Sequence, residues 1–137
     1  MEDKQKCCSG ESKKEVCTCE PTEVLIFPCS GGSNVGQLAN QAAIELTESD
    51  VGNIFCLAGI GGNVPGVIES TKGAKRVVAI DGCAVKCAKK TLERANINIT
   101  DYVIVTDLGI KKNHGFRLNQ KEVDIVKNAV VASLQKR

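Results

Sequence analysis

Short, fully apolar runs alternate with amphipathic stretches along the chain from residue 24 onward. Val24-Leu25-Ile26-Phe27 is apolar at every position, and apolar residues dominate 53–58, 76–80 and 101–106. Short runs without polar alternation predict strands buried on both faces. Between them the apolar positions recur at helical spacing: Leu38, Ala42 and Leu46 share one stripe, and Ala84, Ala88 and Leu92 share another. The first helix is expected to start at Asn34 as its cap, with Gln37 three residues on. A short helix is expected over 64–70, with Pro65 in its first turn. Further helices are expected over 84–94 and over 120–134, the last capped by Asn119 with Glu122 in the capping-box position.

The resulting order is βαβαβαβα. Strands with continuous apolar runs, joined by helices, imply a parallel sheet with right-handed crossovers. The expected fold is α/β and doubly wound, flavodoxin-like or Rossmann-like, with a mostly parallel sheet of about four strands and helices on both faces. The pattern does not choose the strand order. Residues 1–22 show no such periodicity and read as a flexible, Cys-rich tail, leaving 23–137 as a single α/β domain.

Composition narrows the classes. A chain of 137 residues holds one core, and 42% hydrophobic with 25% charged residues is ordinary for a soluble protein. A net charge of +2 and 3% aromatics argue against a nucleic-acid surface, which wants a basic patch with stacking platforms. No apolar run reaches the roughly 18 residues of a membrane span. The charged start, Met1 to Lys6, lacks the apolar stretch of a secretory signal, so a cytoplasmic location is expected. Eight cysteines in a reducing compartment point to metal binding or thiol chemistry and away from a disulfide framework.

Four of those cysteines fall in the folded part: Cys29, Cys56, Cys83 and Cys87. Cys29 to Cys56 is 27 positions, and Cys56 to Cys83 is 27 again, the length of one βα unit. Equal phase in successive units places all three at the carboxyl edge of the sheet, where such folds bind ligands. Cys87, four residues after Cys83, is expected one helical turn above it. Four sulfurs on one edge suit a tetrahedral zinc site, with Asp81 and Asp107 as supporting or replacement carboxylates. Cys56 is the weakest member. It lies about three residues deeper in its expected strand than Cys29, where a small buried hydrophobe is the other reading.

"CSGGSNVG", residues 29–36, combines a cysteine, a glycine-rich loop and a helix start, which is the make-up of an anion cradle. Low-molecular-weight tyrosine phosphatases carry such a loop with an arginine clamp, but the position of that arginine is Val35 here, which disfavours a phosphatase. Close helix–strand packing explains Gly31, Gly32 and Gly36 equally well. His114, the single histidine, is either a ligand on the same edge or a solvated loop residue. The tail's Cys7-Cys8 and Cys17-x-Cys19 suit a soft metal, or are thiols with no fixed ligand.

"PCSGGSNVGQLANQAA", "CLAGIGGNVPG", "IDGCAVKCAKKTLE" and "TDLGIKKN" together resemble the DGC-domain family, named for the motif at Asp81-Gly82-Cys83. The resemblance spans about residues 24–135 and leaves out the tail. It implies a zinc ligand set of Cys29, Cys56, Cys83 and Cys87 and implies no reaction. The leading expectation is one Zn²⁺ held by these four thiolates, in a structural, sensing or transfer role. The alternatives are a thiol-redox or oxyanion enzyme with Cys29 as nucleophile, and an iron–sulfur protein.

Overall fold

The computed structural model describes residues 23–136. The tail cysteines Cys7, Cys8, Cys17 and Cys19 lie outside the described residues. Strands β1 (Val24–Pro28), β2 (Asn53–Ile54), β3 (Arg76–Asp81) and β4 (Asp101–Ile104) form one sheet. All pairings are parallel, in the order β2-β1-β3-β4. This is the flavodoxin-type order with its switch point between β1 and β3, and it resolves the choice the apolar pattern left open.

The helices are α1 (Asn34–Glu48), α2 (Leu57–Gly61), α3 (Pro65–Lys72), α4 (Cys87–Arg94) and α5 (Gln120–Gln135). Alternate strand residues feed two separate cores, because successive side chains leave a strand on opposite faces. Ile26, Val78, Ile80 and Val103 pack with Leu38, Ala42 and Leu46 of α1 and with Val123, Val126 and Val130 of α5. Leu25, Phe27, Val77 and Ala79 meet Ile60 of α2 and Ala88 and Leu92 of α4. Phe27 lies edge-on to Phe55, with ring centroids 5.8 Å apart. Among the described residues no helix is long and apolar enough to cross a membrane.

Three of the expected boundaries move for local reasons. The cap of α1 is Ser33, one residue before Asn34. Its extended backbone lets its Oγ accept from the Gly36 N–H at 3.2 Å. Ser33→Ala is expected to lower stability by about 1 kcal/mol in urea titration. The second strand stops at Ile54, and Cys56 becomes the residue before α2, its carbonyl accepting from Gly59 and Ile60. Leu57 and Ile60 then enter the second core from α2, and Phe55 from the link that precedes it. An apolar run of that length serves a strand or a buried helix equally well. The strand expected over 101–106 ends at Ile104 and continues as a 3-10 turn, Val105–Leu108, closed by Gly109 at φ 86°.

At the amino end of the sheet, Arg76 and Asp101 face each other across β3 and β4. Arg76 donates through Nη2 and Nε to the two Asp101 oxygens at 2.7 and 2.9 Å. Thr100 and Ser133 hydroxyls donate to the same carboxylate. Burial works to raise the Asp101 pKa, but these donors outweigh it and hold the carboxyl below its ordinary value.

Candidate metal centre

The strand ends deliver the four cysteines to one edge. Cys29 directly follows β1, Cys56 comes two residues after β2, Cys83 comes two residues after β3, and Cys87 opens α4. All four are free thiols; Cys56 and Cys87 are exposed, Cys29 and Cys83 half-buried. The exposure of Cys56 overturns its reading as a buried hydrophobe.

Cys83 and Cys87 do not share a helix face as expected. Residues 83–86 form a turn, with the Lys86 N–H donating to the Cys83 carbonyl at 3.2 Å and Lys86 in the left-handed region at φ 61°. Asp81 is the cause. Its buried carboxylate accepts from the Ala88 N–H at 2.7 Å and the Lys89 N–H at 3.0 Å, which fixes the start of α4 at Cys87. A third donor, the Tyr102 hydroxyl, reaches the same carboxylate at 2.8 Å. Burial first, and that bond second, push the Tyr102 pKa far upward, so the hydroxyl stays a donor. Asp81 is thus a helix cap with its oxygens occupied, not a replacement ligand. Asp107 is exposed in the 3-10 turn.

Gly82 explains the middle of the motif. A Cβ there would sit 2.7 Å from the Gly36 nitrogen and 2.8 Å from the Val35 carbonyl carbon. Gly36 in turn presses on Gly31, with a would-be Cβ 2.5 Å from the Gly31 oxygen. Gly36 of "CSGGSNVG" is therefore a packing residue that lets the β3–α4 turn come down onto the start of α1, whereas a Cβ on Gly32 would meet nothing within 4 Å. The same approach aims the Gly82 N–H at Cys29 Sγ, 3.3 Å away. Burial raises the Cys29 pKa from its usual 9.0. The N–H groups of Gly31 and Gly82 oppose that without cancelling it, and negative charge at Asp81 and Cys87 adds to it. Cys29 by itself is therefore an uncharged thiol at neutral pH.

The loop after the 3-10 turn crosses the same edge. Asn34 ties it down with three hydrogen bonds: Nδ2 to the Lys111 carbonyl at 2.8 Å, Oδ1 from the Asn113 N–H at 2.6 Å, and its own N–H to the Asn113 carbonyl at 3.0 Å. This places Lys112 Nζ 3.7 Å from Cys83 Sγ. Beside the tie lies an open hollow of about 480 Å³ lined by Asn34, Asn113, Phe116, Arg117 and Glu122, among others. His114 is exposed on this loop. Sequence reasoning placed Asn34 as a cap and missed the tie; the one available signal was an asparagine beside an already adequate cap at Ser33.

Among the described residues, no three His, Cys, Asp or Glu side chains stand close enough together to hold a metal ion. What the edge supplies is the donor chemistry. It has four unpaired thiols on adjacent loops, with Cys29 and Cys87 near enough to sense each other's charge. Soft thiolate donors suit zinc or an iron–sulfur cluster.

Fold and edge together define a doubly wound α/β protein that carries cysteines on the carboxyl edge at its switch point. A family model described as DGC domain matches residues 25–130, and the chain belongs to the DGC-domain family. It is 36% identical over 91 residues to the Anaerobic and virulence modulator AnvM of Pseudomonas aeruginosa, a match covering 66% of this chain and 70% of that protein. No solved structure matches the chain.

Proposed function

We propose that this protein holds one Zn²⁺ through Cys29, Cys56, Cys83 and Cys87, in a structural, sensing or transfer role. The observation that carries the reading is the arrival of four free, accessible thiols at the carboxyl edge around the β1–β3 switch point. Asp81 leaves the thiols as the soft donors of this edge, since its carboxylate is taken by Ala88, Lys89 and Tyr102. A bound ion would supply the charge that turns the Cys29 thiol into a thiolate. Drawing the sulfurs together falls to the half-buried Cys83 turn and to Cys56 at the head of the five-residue α2. The related protein's name describes a modulator, which fits sensing better than turnover. A nucleophilic Cys29 is the weaker reading, because a reactive thiol needs a lowered pKa and burial raises this one.

Metal analysis of the full chain purified without oxygen tests this. To isolate the edge, the chain carries serine at Cys7, Cys8, Cys17 and Cys19. About one zinc per chain is expected, in a colourless protein, with near-complete loss in Cys29→Ser and Cys83→Ser. Zinc undiminished in Cys83→Ser would show the ligands to be wrong. A brown protein with visible absorption would favour the iron–sulfur alternative.

A further inference from the structure

Lys112 is an exposed lysine on a loop, yet its backbone neighbours are fixed on both sides. The Lys111 carbonyl and both polar backbone groups of Asn113 bond to Asn34, which is itself 7% exposed. A lysine whose only role is solvation needs no such anchoring. The ammonium it presents lies 3.7 Å from Cys83 Sγ, within reach of a sulfur acceptor. The same loop carries Lys111 and Arg117, both exposed, with Arg117 lining the adjoining hollow. Lys86 adds a fourth cation from the Cys83 turn. Asp81 below the turn, and Asp107 and Glu122 from the neighbouring segments, are acidic groups beside them.

We propose that Lys112, held over Cys83 by the Asn34 tie, is the counter-charge of the thiol edge and makes that edge exchange with negatively charged ligands. Two consequences separate. If the edge holds zinc, a four-thiolate centre carries excess negative charge, and the ammonium offsets part of it and slows release of the ion. That consequence rests on the metal reading. The second does not: an anionic disulfide approaching Cys83 meets Lys112 first, is concentrated there, and exchanges faster than a neutral one of equal chemistry.

The test uses the full chain. Reduced, metal-free protein is treated with dithiobis(nitrobenzoate), a dianionic aromatic disulfide, and in parallel with neutral dithiodipyridine. The Cys83 thiolate attacks one reagent sulfur, a mixed disulfide forms, and one aryl thiolate leaves. Modification at Cys83 is resolved by peptide mass mapping. The reagents differ in charge, so the ratio of their rates cancels any change in thiol basicity. Lys112→Gln is expected to lower the anionic-to-neutral ratio by about fivefold, Lys112→Arg to restore it, and about 1 M salt to flatten the difference. Asn34→Ala, which keeps the Lys112 side chain and removes the side-chain bonds that hold its loop, is expected to lower the ratio as well. In zinc-loaded protein, release into excess chromophoric chelator is expected to be about fivefold faster in Lys112→Gln and normal in Lys112→Arg.

An unchanged ratio in Lys112→Gln would overturn the proposal, and an unchanged ratio in Asn34→Ala would remove the tie from it. A wild-type chain that takes up no zinc would end the metal reading alone, with the ratio still deciding the role of Lys112.

Discussion

Gly82→Ala and Gly36→Ala are each expected to cost about 3 kcal/mol of stability, read as a lower urea midpoint. A methyl on Gly82 would meet the Gly36 nitrogen at 2.7 Å and the Val35 carbonyl carbon at 2.8 Å. A methyl on Gly36 would meet the Gly31 oxygen at 2.5 Å and the Gly31 nitrogen at 2.6 Å. Every obstructing atom belongs to the backbone, so no rotamer change relieves the clash. The turn before α4 would have to lift off α1, withdrawing the Gly82 N–H from Cys29 Sγ. Because both glycines lie in one contact, the double variant should lose less than the two single losses combined. Gly66→Ala is the control: nothing lies within 4 Å of its added carbon, and it sits in α3. There alanine should stabilise by about 0.5–1 kcal/mol. Equal effects at Gly66 and Gly82 would refute the close approach.

The second large effect is at the other end of the sheet. Asp101→Ala is expected to destabilise by about 3 kcal/mol at neutral pH. The substitution leaves Arg76 without its two-bonded partner and frees the Thr100 and Ser133 hydroxyls. The pH dependence has a definite sign. The folded-state pKa of Asp101 is lowered from its ordinary 3.8, so its contribution is complete above that value and fades as pH falls through the lower, folded one. The stability gap between wild type and Asp101→Ala should therefore be widest near neutrality and should narrow in strong acid. A gap independent of pH would mean that the carboxylate charge is not what matters there.

The sheet was readable from sequence because its central strands, β1 and β3, are buried on both faces, and burial writes itself as uninterrupted apolar runs. Strand order was not readable, since 2-1-3-4 and its alternatives bury the same residues. The shared edge of Cys29, Cys56 and Cys83 followed from the repeat length of the βα unit. The relation of Cys83 to Cys87 did not follow, because it turns on tertiary bonds. Asp81 reaches seven residues ahead to Ala88 and decides where the helix begins. Lys86 adopts a positive φ that no lysine advertises. The tie from Asn34 to Lys111 and Asn113 joins positions nearly 80 residues apart and leaves no local mark. Sequence reasoning thus found the sulfurs and missed the polar atoms that orient their surroundings.

The two-residue β2 has a consequence for how molecules meet. It forms one margin of the sheet, and the Phe55 N–H beyond it turns inward to Ile26. The outward N–H of Ile54 is already taken by the Thr47 hydroxyl of α1 at 2.9 Å. That rim offers an incoming strand almost no free backbone to template on, which is a common natural guard against edge-to-edge fibre growth. Among the described residues, ribbon-like pairing of two chains through their backbones is left with the β4 edge as its route.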